Sequence, residues 1–190
     1  LDLLKQRIRD EGKVLKNGIL KVDSLLNHQI DPSLMEALGE EIGRRFAGET
    51  VTRILTAEVS GIGPALMAGK AIGVPVVYAR KRKPVTMTEP VFVESAPSHT
   101  KGGETLLMVS PEFLDADDRI LIVDDFLATG KTLHALARLV GQAGATLVGI
   151  ATVIEKSFEG GRDFLAEFDV PIESLAVITG MEDGIITLAD

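Results

Sequence analysis

Cysteine is absent from the 190-residue chain, which excludes disulfides and thiolate metal sites. Also missing is any apolar run near the roughly 18 residues that a bilayer-spanning helix takes. The opening Leu1-Asp2-Leu3-Leu4-Lys5-Gln6-Arg7 lacks the basic-then-apolar order of a secretory leader. The expected location is therefore cytoplasmic. A surplus of positive charge is lacking too. With 28 acidic against 20 basic side chains the net charge is −8, which disfavours a general attraction to nucleic acid or to a membrane surface. Neither an internal repeat nor a low-complexity linker interrupts the chain. Hydrophobic residues at 45% and charged ones at 25% describe a globular protein. The length suits one domain with a substantial core.

One local departure from the acidic balance is Arg80-Lys81-Arg82-Lys83. Read alone, this run is as well a solvated turn as a contact for an anionic small molecule.

Periodicity predicts a helix over residues 3–15, with Leu4, Ile8 and Leu15 on one side. Asp31-Pro32 reads as a second helix start, a capping carboxylate followed by proline in the first turn. Leu34, Leu38, Ile42 and Phe46 then form a core-facing stripe. Beyond residue 50 the pattern alternates. Strands are expected at 51–56, 74–79, 90–95, 104–110, 119–123, 147–154 and 174–178, with helices at 62–71 and 131–143, the latter ended by Gly144. Short β-branched runs alternating with helices predict an α/β fold with a mostly parallel sheet covered on both faces. Residues 1–37 and parts of the C-terminus fall outside the alternation and are expected to cap it. Ligands of such sheets sit at the carboxyl ends of strands, which directs attention to the loops after residues 56, 79, 123 and 154.

The loop after residue 123 carries the strongest motif: Ile120-Leu121-Ile122-Val123-Asp124-Asp125-Phe126-Leu127-Ala128-Thr129-Gly130-Lys131-Thr132. Its last three residues match the end of a P-loop, but the glycine that a P-loop needs further upstream is replaced by Asp125. Two carboxylates in that cradle would repel a triphosphate. A small turn opening a helix instead suits a single phosphate, bound by backbone N–H groups and the hydroxyls of Thr129 and Thr132. Asp124 and Asp125 are acceptors close by, suited to the vicinal hydroxyls of a ribose 5-phosphate. The plainer reading is a helix cap beside two solvated acids.

Those thirteen residues resemble the phosphoribosyl pyrophosphate (PRPP) motif of the type I phosphoribosyltransferases. Residues 20–32 and 153–158 are further similar to the bacterial branch of that family that takes xanthine, and the similarity runs over nearly the whole chain. The resemblance implies a twisted, mostly parallel sheet flanked by helices, with a small hood over the base. It implies a reaction of PRPP with a purine base, here xanthine, to give a nucleoside 5′-monophosphate and pyrophosphate. Mg²⁺ is the implied cofactor, held mainly by PRPP and not by direct side-chain ligation. A homodimer is implied as well.

By the same resemblance Ala128, Thr129, Gly130, Lys131 and Thr132 hold the 5-phosphate, and Asp124 and Asp125 take the ribose. Glu58-Val59-Ser60-Gly61-Ile62-Gly63-Pro64 matches the pyrophosphate loop, with Ser60 and Gly61 as contacts. Lys81, directly after a strand, is implied to neutralise the leaving pyrophosphate. Residues 96–103 are similar to the family's catalytic loop, with Lys101 reaching the pyrophosphate, and a lid there would exclude water. For the base, Leu20 packs on the ring, Asn27 meets the 2-oxo edge and Lys156 donates to the 6-oxo group. Ser60 is no hydrolase nucleophile, because Glu58 stands where the elbow needs glycine. His28, His99 and His134 form no metal-ligating pair by spacing and are read as surface or packing residues. Rival readings are a guanine/hypoxanthine, adenine or orotate enzyme of the same family, a protein that merely shelters PRPP, and a PRPP-sensing regulator without catalysis. The regulator needs a DNA-binding domain, for which the 30 residues before Asp31 leave little room.

Overall fold

A computed structural model describes residues 1–16, 18–97 and 104–189. Helix α1 (Asp2–Glu11) buries Leu4 and Ile8 as the spacing predicts, but it stops short of Leu15. It ends at Gly12, whose N–H still bonds to Ile8 O at 3.0 Å and where an added Cβ would stand 2.8 Å from Ile186 Cδ1. The backbone there turns extended, and β1 (Lys13–Val14) pairs antiparallel with β2 (Leu20–Lys21). Leu15 is left exposed.

A single π-type turn, Asp23–Asn27, then buries Leu25 and Leu26. Asp31 caps α2 (Pro32–Arg45) as expected: its Oδ1 accepts the N–H groups of Ser33 at 3.0 Å and Leu34 at 3.2 Å. The stripe Leu34, Leu38, Ile42 and Phe46 is buried throughout. There follow β3 (Arg53–Ala57), α3 (Ile62–Ile72), β4 (Val76–Ala79), β5 (Phe92–Pro97), β6 (Glu104–Val109), β7 (Arg119–Leu127), α4 (Lys131–Gln142), β8 (Thr146–Lys156), α5 (Gly161–Phe164), β9 (Ile172–Gly180) and β10 (Thr187–Leu188). Helices α2 and α3 meet closely at Gly39, where a Cβ would lie 2.4 Å from the Met67 carbonyl carbon.

The main sheet has the order β10-β9-β8-β7-β3-β4. All its pairings are parallel except that of β10 with β9. Connections run outward from β3 to β4 on one side and from β7 to β8 and β9 on the other. The topological switch point, where such sheets bind ligands, thus falls between β3 and β7. Both faces of the sheet are covered, which explains why β7 reads as an unbroken apolar run. Leu121 and Val123 join the cluster under α2 and α3, while Ile120 and Ile122 join the one under α4 and the hairpin.

Strands β7 and β8 run further than their apolar stretches indicate. Their pairing continues through Asp124–Thr152, Phe126–Ile154 and Leu127–Glu155, so the two motif acids stand at the end of a strand and not in a loop. The β5–β6 hairpin packs on α4, where Gln142 bonds to the main chain of Val93 in both directions. The expected catalytic loop falls largely on residues 98–103, and its Lys101, like His99, lies outside the described residues. His28 is exposed. His134 stacks on Phe164 with ring centroids 4.8 Å apart and pairs with Glu167 at 3.0 Å.

Candidate active site

The parallel register places Ala57 at the end of β3 beside Ala79 at the end of β4, so Glu58 falls opposite Arg80. Its carboxylate joins the two loops. Glu58 Oε1 accepts the Lys81 N–H at 2.7 Å, and Oε2 lies 2.9 Å from Arg80 Nε in an ion pair without hydrogen-bond alignment. The turn from Glu58 to Gly61 is thereby tied to the segment that carries Lys81. It contains a cis peptide between Glu58 and Val59 and leads directly into α3.

On the other side of the switch point, Asp124 is 5% exposed. Its Oδ1 accepts the Asp125 N–H at 3.0 Å, and Asp125 Oδ1 accepts the Phe126 N–H at 2.9 Å. Burial pushes the Asp124 carboxyl well above its ordinary range, and the neighbouring Asp125 charge pushes the same way. Gly61 sits against this carboxylate. A Cβ there would come within 2.3 Å of both Asp124 Oδ1 and the buried hydroxyl of Thr56, so only glycine fits between the two loops.

After β7 the chain enters α4 through Gly130, at φ +78°, a left-handed conformation that favours glycine. The first intrahelical bond runs from His134 N–H to Gly130 O at 2.8 Å. The amides before it point out of the helix end, where the dipole favours an anion. Thr129 and Thr132 set hydroxyls around the same turn.

These pieces enclose one cavity of about 190 Å³. Nine of the residues singled out by sequence line it together: Ser60, Lys81, Asp124, Asp125, Ala128, Thr129, Gly130, Lys131 and Thr132. Gly61 stands immediately behind, against Asp124. The three residues assigned to the base are not brought to this cavity. Leu20 is buried in the core, Asn27 is exposed at the end of its π-type turn, and Lys156 Nζ pairs with Glu159 Oε1 at 3.0 Å. Sequence reasoning missed Glu58 as a loop clamp and Thr56 as the buried neighbour of Gly61. The clamp had a signal: once β3 and β4 are set parallel and in step, an acid and a base follow them at matched positions. Among the described residues no three His, Asp or Glu side chains gather as a metal site, and no helix is long and apolar enough to cross a membrane.

A helix end open to an anion, paired acids on the preceding strand and a glycine turn across the switch point make an arrangement that suits a phosphosugar on an α/β sheet. The chain belongs to the phosphoribosyltransferase family, whose phosphoribosyl transferase domain matches residues 21–164. The resemblance read from residues 120–132 is borne out. The chain is 48% identical to the xanthine phosphoribosyltransferase of Pseudomonas entomophila (strain L48) over 190 residues, the whole of both chains. It is 50% identical over 181 residues to the enzyme of that name from Deinococcus deserti, covering 95% of this chain and 94% of the other. Among solved structures, adenine phosphoribosyltransferase from Rhodothermus marinus superposes with a TM-score of 0.76 at 23% identity, covering 94% and 100% of the two chains. That likeness establishes the shared fold and says nothing about the base.

Proposed function

We propose that the protein transfers the 5-phosphoribosyl group of PRPP to xanthine, giving xanthosine 5′-monophosphate and pyrophosphate. The observation that carries the PRPP half is the meeting of Asp124 and Asp125 with the 128–132 turn and Ser60 in one cavity. The choice of xanthine rests on the name borne by relatives 48% and 50% identical over nearly the full length.

In this reading the 5-phosphate takes the 128–132 turn, and the ribose hydroxyls donate to Asp124 and Asp125. The bond from the anomeric carbon to pyrophosphate breaks, taking its electron pair to the leaving oxygen, and a ring nitrogen of the base bonds to that carbon from the opposite face and gives up its proton to solvent. Positive charge building on the ribose is moderated by the two carboxylates, as near other glycosyl cations. Lys81 and the amides of residues 60–63 would meet the charge growing on the leaving group. Holding both partners in line supplies much of the rate. Two carboxylates beside a phosphate-binding turn fit Mg²⁺, which takes few protein ligands and fills its shell from ligand oxygens and water. With PRPP as its main holder, the ion would neutralise charge on the pyrophosphate.

For the base, Leu20 would pack on the ring, Asn27 would meet the 2-oxo edge, and Lys156, drawn off Glu159, would donate to the 6-oxo group. The reading takes the whole chain as one domain, with residues 1–37 as a hood. It acts as a cytoplasmic homodimer. Pyrophosphate release from PRPP with xanthine, guanine, hypoxanthine, adenine and orotate in parallel is the test. Xanthine should be consumed with the highest kcat/KM. A preference for adenine or orotate would overturn the base assignment, and release with none of them would overturn the activity.

A further inference from the structure

The turn that takes the 5-phosphate in this reading is shaped from behind by a second backbone. Gly161 lies so close to it that an added Cβ would stand 2.2 Å from Ala128 O, 2.8 Å from Gly130 N and 2.7 Å from Leu127 Cδ1. The approach is mutual. A Cβ on Gly130 would stand 2.9 Å from Gly161 O and 3.2 Å from Gly161 Cα. Two main chains therefore touch with no side chain between them. Most of the obstructing atoms are backbone, which cannot swing aside as a side-chain tip does.

Gly161 opens α5, a helix of four residues, too short to hold a position by itself. Arg162 fixes it. Its Nε donates to Glu155 Oε1 at 3.0 Å, its Nη2 to Glu155 Oε2 at 2.5 Å and its Nη1 to Ile172 O at 2.8 Å. Glu155 is 3% exposed and also accepts from Ser174 Oγ at 2.6 Å. Burial opposes its charge, yet the hydrogen bonds from Arg162 and Ser174 outweigh that and keep its carboxyl below the ordinary range. The arginine is thus anchored to a buried acid on β8 and to the main chain of β9, and it seats Gly161 against the phosphate turn.

We propose that Gly161, held by the Arg162–Glu155 pair, is a positioning residue that sets the shape of the 128–132 turn and through it the grip on the 5-phosphate. The inference rests on the functional reading above. Gly161 touches no reacting atom, and its influence is confined to the phosphate end of the ligand. The pyrophosphate end is held by different elements, the turn after β3 and Lys81.

The test is Gly161→Ala, made both in the parent and in a Gly141→Ala background. Gly141 lies inside α4 with nothing within 4 Å of an added Cβ, so alanine there should steady the helix. Steady-state kinetics are combined with calorimetry of ribose 5-phosphate and of pyrophosphate. Gly161→Ala should raise KM for PRPP, and weaken ribose 5-phosphate, by about tenfold or more, since a shift near 1 Å at a positioning contact costs on that scale. Pyrophosphate affinity and kcat should stay near the parent values. Equal losses for both ligands would reduce Gly161 to a general structural role and overturn the proposal, as would an unchanged KM. Should Gly161→Ala not fold in either background, Arg162→Lys serves instead: a selective loss toward ribose 5-phosphate supports the proposal and parent-like behaviour refutes it. A parent silent toward PRPP with every base would sink the functional reading itself. An active parent with an indifferent variant sinks this inference alone.

Discussion

Asp124 and Asp125 are sequence neighbours with opposite surroundings. Asp124 is closed in behind Gly61, whereas Asp125 is half-buried at the cavity. The raised carboxyl of Asp124 means that its ionised form is less stable in the fold than in the open chain. At pH values above both its folded and unfolded midpoints this residue therefore costs stability, and amidation removes the cost. Asp124→Asn is expected to melt at a higher temperature than the parent at alkaline pH while losing turnover. Asp125→Asn should lower turnover by at least about tenfold, roughly 1.4 kcal/mol at the transition state, and relieve part of the Asp124 cost in melting at alkaline pH. Melting curves and initial rates on the two variants check both statements. The pair was legible in the sequence because an apolar run leading straight into two acids is hard to explain by folding alone. The clamp of Glu58 on the Lys81 N–H and on Arg80 was not, because it exists only once β3 and β4 lie side by side. The buried hydroxyl of Thr56 was hidden for a similar reason: nothing in its neighbours announces that Gly61 closes over it.

Among the elements, α2 and α4 were readable from apolar spacing, capping and stop residues, and their ends agree with those signals within a residue or two. The end of α1 was not, since the hydrophobic period runs on to Leu15 while the chain turns extended at Gly12 and pairs Lys13–Val14 with Leu20–Lys21. Extension of β7 past its apolar stretch was likewise a matter of partnership, because the neighbouring β8 carries the pairing on. Close approach of α2 and α3 depends on Gly39, whose added Cβ would meet Met67 backbone at 2.4 Å and 2.5 Å. Gly39→Ala should push the helices apart and cost about 1–3 kcal/mol, as overpacking does. Denaturant unfolding would read this as a lower midpoint at unchanged slope. A midpoint equal to the parent's would show that the helices separate freely.

At the scale of the whole molecule, several acids pull stability in a common direction. Hydrogen bonds from Arg44 hold Glu41 down to about 2 against a usual 4.5, with Arg45 adding to the effect against the pull of burial. Glu155 is also lowered, as is Asp118, where burial opposes the charge but the Asp115 N–H and Arg53 prevail. Acids with depressed folded midpoints contribute stability that is complete above their unfolded values and fades as pH falls through the folded ones. Asp124 has the opposite sign, so its cost is relieved on acidification down to its ordinary 3.8. Melting temperature should hold or rise slightly on mild acidification, then fall from about pH 4.5 toward pH 2. A melting temperature that kept climbing below pH 4 would contradict the assignment. The location of the cavity was legible at this scale, since the alternation of strands and helices fixes where the switch point falls. The base roles were not legible there: Leu20 and Asn27 precede the sheet, and Lys156, at the end of β8, pairs with Glu159 outside the cavity. One contact at the far end of α4 carries a mechanical corollary. Gln142 offers Val93 an amide that donates at 2.8 Å and accepts at 3.2 Å, doing for the hairpin what a neighbouring peptide group would do. The 12-residue rod, about 18 Å long, thus runs from the cavity at its head to a tail fastened on the ribbon. Loss of the Gln142 amide would leave the Val93 N–H and carbonyl without that partner and loosen the ribbon on the helix.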